Sequence, residues 1–90
     1  MTEFKMGRLV ATPGALEALQ SAGQCLGCIL LRHLSNDWGE LDNEDKRAND
    51  DALRDGDRIL SKYTTTQGIA LYVITEADRS LTTILRTDEY

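Results

Sequence analysis

The sequence predicts an α+β fold in which three N-terminal helices pack on one face of a C-terminal, three-stranded antiparallel meander. Two observations predict this class. Up to Gly56 the apolar residues recur at helical spacing between capping signals, and from Arg58 onward they alternate with a period of two. The 90 residues are expected to form a single domain, residues 1–90, because no linker, repeat or low-complexity segment divides them.

The first helix follows a short apolar stretch in "GRLVATPGALEAL". Leu9 and Val10 have β character and could add a short edge strand to the sheet. Thr12 is suited to the N-cap, because its hydroxyl can accept a free amide of the first turn. Pro13 is suited to the first helical position, where its missing amide proton costs nothing. Gly23 is expected to end this helix.

The second helix is predicted from Gln24 to about Leu34. Its apolar residues fall on one broad arc, and His33 lies near the middle of that arc. We therefore expect a buried, neutral His33 ring with a pKa below 6.5. Cys25 and Cys28 belong to the same run. Two thiols and a single His cannot complete a four-ligand zinc site, so we interpret both cysteines as packing residues, with incidental thiol reactivity as the alternative.

The third helix is predicted to begin after Asp42 as N-cap and to end at Gly56. Its apolar face is thin and consists mainly of Ala48, Ala52 and Leu53. Three strands follow in "RILSKYTT", "GIALYVIT" and "SLTTILRT", with "TTQG" and "EADR" as the turns between them. The chain ends, residues 1–5 and 88–90, are expected to be loose.

The net charge of −5 and the pI near 4.7 restrict the partners. An acidic chain lacks the basic footprint of a general nucleic-acid binder, and it is not attracted to anionic membranes. The N-terminus lacks the apolar core of a signal peptide, and the longest apolar run, "CILL", is far too short to span a bilayer. These features predict a cytoplasmic protein with a protein partner, no direct nucleic-acid or membrane binding, no metal and no cofactor.

The candidate site residues cluster in "LRHLSNDWGELDNEDKRANDDAL". The ring nitrogens of a buried His need partners, and the nearest polar side chains in sequence belong to Asp37, Asp45 and Asn49. The same network could orient His33 as a general base. Trp38 is interpreted as a plug that joins the second helix to the third, with a binding role as the alternative.

Two further features are open to more than one interpretation. Arg79, in the "EADR" turn with Glu76, could clamp a phosphate or carboxylate, or could pair with an acid of the third helix. Nine acidic residues lie between Asp37 and Asp57. They do not form a calcium loop, because Lys46 stands where a ligand is needed. They are interpreted as a solvated helix face with capping acids, as an acidic interaction surface, or as part of a catalytic site.

The segments "LVATPGALEAL", "RHLSNDWGELDNEDKRANDDAL" and "YVITEADRSLTTIL" together resemble a family of short, uncharacterised bacterial proteins described as plasmid-related. This resemblance covers most of the chain and implies a bacterial cytoplasm and a mobile-element setting. It implies no activity and no catalytic residue. Where the family often has Gly before Asp-Trp-Gly, this chain has Asn36, which also tolerates a left-handed turn.

Three functions are compatible with these features. The first is an accessory or interaction domain without catalysis, in which Trp38, Asn49 and Glu76 are candidate binding residues. The second is a metal-independent, nuclease-like hydrolase, with His33 as base, Asp37 or Asp45 as its orienting acid, and Arg79 as phosphate clamp. The third is an acidic mimic of nucleic acid that inhibits a DNA-binding partner.

Overall fold

In the computed structural model, which describes residues 4–90, three helices and four strands form one α+β unit. The chain runs through β1 (Arg8–Ala11), α1 (Pro13–Ser21), α2 (Leu26–Leu34), α3 (Asn43–Asp55), β2 (Ile59–Thr64), β3 (Ala70–Thr75), β4 (Leu81–Arg86) and a short 3₁₀ turn (Thr87–Glu89). The helix and strand positions predicted from periodicity are thus close to those observed, whereas the arrangement of the sheet differs.

The sheet is mixed, with four strands in the order β1-β4-β3-β2, so the prediction of a three-stranded antiparallel meander behind N-terminal helices is wrong. The pairs β2–β3 and β3–β4 are antiparallel. β1 lies parallel to β4, with Arg8 opposite Leu81 and Ala11 opposite Ile84. Strands therefore stand at both ends of the chain, and β4 is internal. A four-residue strand whose partner lies at the other end of the chain leaves no local signal of that pairing.

Gly7 allows β1 to approach β4 closely. Its φ is +65°, and a Cβ at this position would lie 2.4 Å from the Ser80 carbonyl carbon. The next amide, that of Arg8, donates to the Ser80 carbonyl at 2.9 Å. A side chain at position 7 would therefore separate the two strands where their pairing begins.

The predicted helix caps are confirmed. The Thr12 hydroxyl accepts the Ala15 amide at 3.1 Å, and the Asp42 carboxylate accepts the Asp45 amide at 2.8 Å. Gly56 ends α3 in the left-handed conformation, with φ of 77°. These boundaries agree because capping depends on residues within one turn of each other.

The main core lies between the sheet and the first two helices. Side chains from α1 and α2 pack on the inner faces of β2, β3 and β4, and the buried apolar residues are Ala15, Ala18, Leu19, Ile29, Tyr63, Leu71, Val73 and Ile84. β2, β3 and β4 contribute alternate residues to this face, as their period of two predicts. A smaller cluster of Trp38, Ala52 and Ile59 joins α3 to the edge of the sheet.

The outer edge of β2 is covered by α3 and by the loop that precedes it. The Asn49 side chain donates to the Leu60 carbonyl at 2.6 Å and accepts the Leu60 amide at 3.1 Å, which reproduces the bonds of a neighbouring strand. The backbone of Lys62 bonds to the loop before α3. Its amide donates to the Trp38 carbonyl at 3.2 Å, and its carbonyl accepts from the Glu40 amide at 2.7 Å. These contacts block pairing of this edge with another chain.

We expect Asn49→Ala to destabilise the protein by about 2 kcal/mol, because it leaves the Leu60 amide and carbonyl without their protein partner. Urea unfolding followed by tryptophan fluorescence measures the change. Asn43→Ala, at the exposed start of the same helix, is the matched control and should shift the midpoint far less. Equal shifts for both variants would mean that the Asn49–Leu60 contact contributes nothing beyond helix propensity.

The chain ends are more ordered than predicted. Phe4 packs against the small cluster, while residues 1–3, which were also predicted to be loose, lie outside the described part of the chain. At the C-terminus the Glu89 carboxylate accepts the Thr12 hydroxyl at 2.8 Å, and the ring of Tyr90 meets that of Tyr72 edge to face at 5.5 Å. Contacts with distant residues fix these ends, and such contacts are not visible in the local sequence.

Candidate functional site

His33 is the centre of a buried hydrogen-bonded chain. Its side chain is 0% exposed, as the apolar arc of α2 predicts. Nδ1 lies 2.5 Å from the Ser61 hydroxyl, and Nε2 lies 2.9 Å from the Thr75 hydroxyl. Thr75 in turn meets the Thr82 hydroxyl at 2.7 Å, and Thr82 donates to the Met6 carbonyl at 2.7 Å. These hydrogen bonds thus link α2 with β2, β3, β4 and the segment before β1.

The donor and acceptor roles along these hydrogen bonds determine the tautomer of the His33 ring. Because Thr82 uses its proton on a carbonyl, it must accept from Thr75. Thr75 therefore accepts from Nε2–H of His33, and Nδ1 accepts the Ser61 proton. This places the neutral Nε2–H tautomer in the core. Burial lowers the pKa of His33 from 6.5 to about 4, so the ring is uncharged at neutral pH.

The prediction of the polar partners of His33 was wrong. Hydroxyl groups of the sheet bind both ring nitrogens, in place of Asp37, Asp45 or Asn49. The sequence did contain a signal for one of them, because Ser61 stands between Ile59 and Tyr63 on the inner face of β2. A small polar residue at such a position indicates that a polar group is buried opposite it.

Asp37 belongs to a surface contact beside the core. Its carboxylate accepts from Arg32 Nε at 2.7 Å, and this ion pair holds the pKa of the Asp37 carboxyl below its usual value. The Arg32 guanidinium lies 4.6 Å from the centre of the Tyr63 ring, and the Tyr63 hydroxyl donates to the Asp37 carbonyl. Asp37 therefore connects the end of α2 to β2. It has no bond to His33 among the contacts of residues 4–90.

Trp38 is a buried plug that joins α2, α3 and β2. Its side chain is 4% exposed, and its ring centre is 6.0 Å from that of His33. The indole Nε1–H donates to the Asp50 carboxylate on α3 at 3.0 Å. Asn36, two residues before, adopts the left-handed conformation with φ of 66°, which asparagine tolerates. Gly39 follows with φ of 73°, and a Cβ there would overlap the Lys62 carbonyl oxygen.

Arg79 fixes the β3–β4 turn to the end of α3. Its guanidinium donates to the Ala52 carbonyl at 3.2 Å and to the Asp57 carbonyl at 2.7 Å. It also bonds to the carbonyls of Glu76 and Ala77 within its own turn. Both interpretations of Arg79 assumed an anionic partner, whereas the observed partners are carbonyl oxygens at a helix C-terminus, a position that favours a cation. Glu76 closes the same turn through its backbone.

Asp45 and Asn49 border a surface groove between α3 and the sheet face opposite the main core. We call it the α3 groove, and its volume is about 570 Å³. Its acidic side chains belong to Glu40, Asp42 and Asp45, and Lys62 is the basic residue in its lining. Its apolar surface comes from Leu41, Ala48, Leu60 and Tyr72. Tyr72 and Lys62 were not singled out as site residues, although their alternation with core positions places them on this face.

The two cysteines are exposed free thiols, so their interpretation as packing residues is wrong. The helix starts two residues later than predicted, which makes Cys25 its N-cap instead of a residue of its buried face. Within residues 4–90, no group of three or more His, Cys, Asp or Glu side chains is arranged to hold a metal ion.

The predicted catalytic residues thus occupy four separate environments. His33 is in the core, Asp37 is in a surface ion pair, Asp45 is on the α3 groove, and Arg79 is bonded to backbone carbonyls. Comparison with protein-family models, curated proteins and solved structures found no match to this chain. No helix in the described residues has the length and apolarity needed to cross a membrane.

Proposed function

We propose that this protein is a small accessory binding domain that holds a basic, partly apolar segment of a partner protein in the α3 groove. The observation that carries the proposal is the composition of the groove: three carboxylates and one ammonium group surround an apolar floor. A peptide with Lys or Arg beside Leu or an aromatic residue is complementary to both parts. The chain's net charge of −5 favours encounter with such a segment.

Two of the three acids of the groove are available to a partner, whereas Asp42 caps the start of α3. In residues 4–90 neither Glu40 nor Asp45 forms a side-chain ion pair, unlike Asp37, Asp51, Asp55 and Asp88. Leu60 and Tyr72 remain only partly buried beside them. The floor is fixed by the Asn49–Leu60 bonds, so a ligand would not have to order this part of the chain on binding.

The two alternative functions receive less support from the geometry. A nuclease-like mechanism needs His33 within reach of substrate, but its ring is fully buried and both nitrogens are engaged. A nucleic-acid mimic needs a continuous acidic track, but Arg32 neutralises Asp37, and Arg54 binds Asp51 and Asp55. The resemblance to plasmid-related proteins is the basis for placing the partner in the cytoplasm of bacteria that carry mobile elements.

A peptide titration followed by NMR tests the proposal. The probe is a peptide of about a dozen residues in which Lys and Arg alternate with Leu and Phe, and the reference peptide has Glu in place of each base. We expect the basic peptide to shift the amide signals of Leu41, Ala48, Lys62 and Tyr72, with binding that weakens as salt is added. We expect no binding of the acidic peptide.

Charge reversal locates the binding surface. Asp45→Lys should weaken the binding of the basic peptide about tenfold, since it replaces an attraction in the groove by a repulsion. Glu44→Lys is the matched control, because Glu44 lies in the same turn of α3 and does not line the groove. Equal weakening by both variants would mean general attraction to an acidic protein and would overturn the proposed groove.

A further inference from the structure

The exposed thiols lie away from the α3 groove, at the first turn of α2. Cys25 is the N-cap and Cys28 is one turn further on, and both side chains line the same surface cavity. Cys25 has an extended backbone, with φ of −89° and ψ of 128°, so its position is not fixed by the helix geometry. Both thiols are free and exposed.

The two sulfur atoms have different surroundings. The Cys25 sulfur lies beside the start of α2, 3.5 Å from where a Cβ at Gly27 would stand. The nearby Cys28 amide, Cys28 thiol and Gly27 amide lower the pKa of Cys25, whereas the neighbouring Cys25 sulfur raises the pKa of Cys28. The Cys25 side chain makes no capping hydrogen bond, so amides of the first turn of α2 remain available to stabilise its thiolate.

A shallow surface cavity of about 350 Å³ adjoins both thiols. Gln24 and Ile29 form part of its wall, and Arg32 stands at its border, where the guanidinium binds Asp37. This volume lies at the lower end of the range of about 300–1,000 Å³ that small-molecule sites span. The site therefore combines a paired nucleophile with space for the group it would attack.

We propose that Cys25 and Cys28 form a redox-active dithiol that reduces the disulfides of small thiol compounds, with Cys25 as the attacking sulfur and Cys28 as the resolving one. This site is independent of the α3 groove and of the function proposed for it. The substrate class is a low-molecular-weight disulfide, which is also the oxidant in the reaction.

The exchange takes place in two displacements. The Cys25 thiolate attacks one sulfur of the substrate disulfide, forms a mixed disulfide and releases the first small thiolate, which takes up a proton from water. The Cys28 thiol loses its proton to water, and its sulfur then attacks Cys25, which forms the Cys25–Cys28 disulfide and releases the second small thiolate. Two protein thiols are oxidised, and one substrate disulfide is reduced to two thiols.

Oxidised glutathione is the probe for the test, with quenched samples analysed by intact mass. We expect the wild-type protein to lose two hydrogens without accumulating an adduct. Cys28→Ser should accumulate a glutathione adduct on Cys25, because the resolving sulfur is absent. Cys25→Ser should react at least about tenfold more slowly than Cys28→Ser, since its remaining thiol is the less acidic one. Equal rates for the two single variants, or a stable adduct on the wild-type protein, would overturn the assignment.

Phenylarsine oxide, which requires two adjacent thiols, gives a second measurement that does not depend on redox chemistry. The reduced wild-type protein should bind it at a ratio of one to one, and either single Ser variant should lose that binding. Both cysteines are exposed, so the double variant with Ser at both positions should keep the wild-type unfolding midpoint. Failure of the wild-type protein to bind would show that the two sulfur atoms cannot act together and would also overturn the proposal.

Discussion

Trp38→Ala should lower the free energy of unfolding by about 3–5 kcal/mol, the range for truncation of a large buried aromatic side chain. The indole is 4% exposed and packs with Ala52 and Ile59 between the edge of the sheet and α3. Its removal leaves a cavity in the smaller cluster and also deprives Asp50 of the Nε1–H donor. Urea unfolding followed by circular dichroism measures the loss, since the variant contains no tryptophan.

Trp38→Phe separates packing from hydrogen bonding. Phenylalanine keeps an aromatic ring in the cluster but cannot donate to Asp50, so its effect should be about 1–2 kcal/mol and clearly smaller than that of alanine. Asp50→Ala should remove only the acceptor and should have the smallest effect of the three, because Asp50 is exposed. An unchanged midpoint for Trp38→Ala would contradict the structural role and would make Trp38 a candidate binding residue again.

The helices were predictable because their signals are local. Thr12 and Asp42 bind amides three residues later, and Gly56 supplies the left-handed residue that ends α3. The topology of the sheet was not predictable in the same way. β1 binds β4 through backbone groups at opposite ends of the chain, and its position depends on the close approach at Gly7. Alternation in β4 gave no indication that this strand is internal.

The part of the candidate site that depends only on burial was predictable from the sequence. The apolar arc of α2 correctly placed His33 in the core, because that conclusion needs only the helical period. The partners of His33 depend on which strands lie beneath the helix, and sequence proximity to Asp37 was misleading for that reason. The exposure of Cys25 was missed because it depends on the residue at which α2 begins, and a shift of two residues moves a side chain around the helix.

Protonation of His33 should remove about 3 kcal/mol of stability. The folded pKa is about 4 and the unfolded value is 6.5, so the native state binds the proton less tightly than the unfolded chain. This contribution is fully present above pH 6.5 and is lost as the pH falls from 6.5 to about 4. Asp37 and Asp78, whose carboxyl pKa values are lowered from 3.8, add losses only at still lower pH.

Two measurements check this prediction. The imidazole signals of the only histidine should show a folded pKa well below 6.5, and nitrogen shifts should identify the Nε2–H tautomer that donates to Thr75. Urea unfolding at a series of pH values between 7.5 and 4.5 should show stability falling in the wild type and a flatter profile in His33→Gln, which cannot titrate. A third variant, Thr75→Val, should destabilise the fold by about 1–3 kcal/mol because Nε2–H loses its acceptor. A folded His33 pKa above 7 would contradict a neutral core histidine, since only a charged ring stabilised by a nearby carboxylate would give that value.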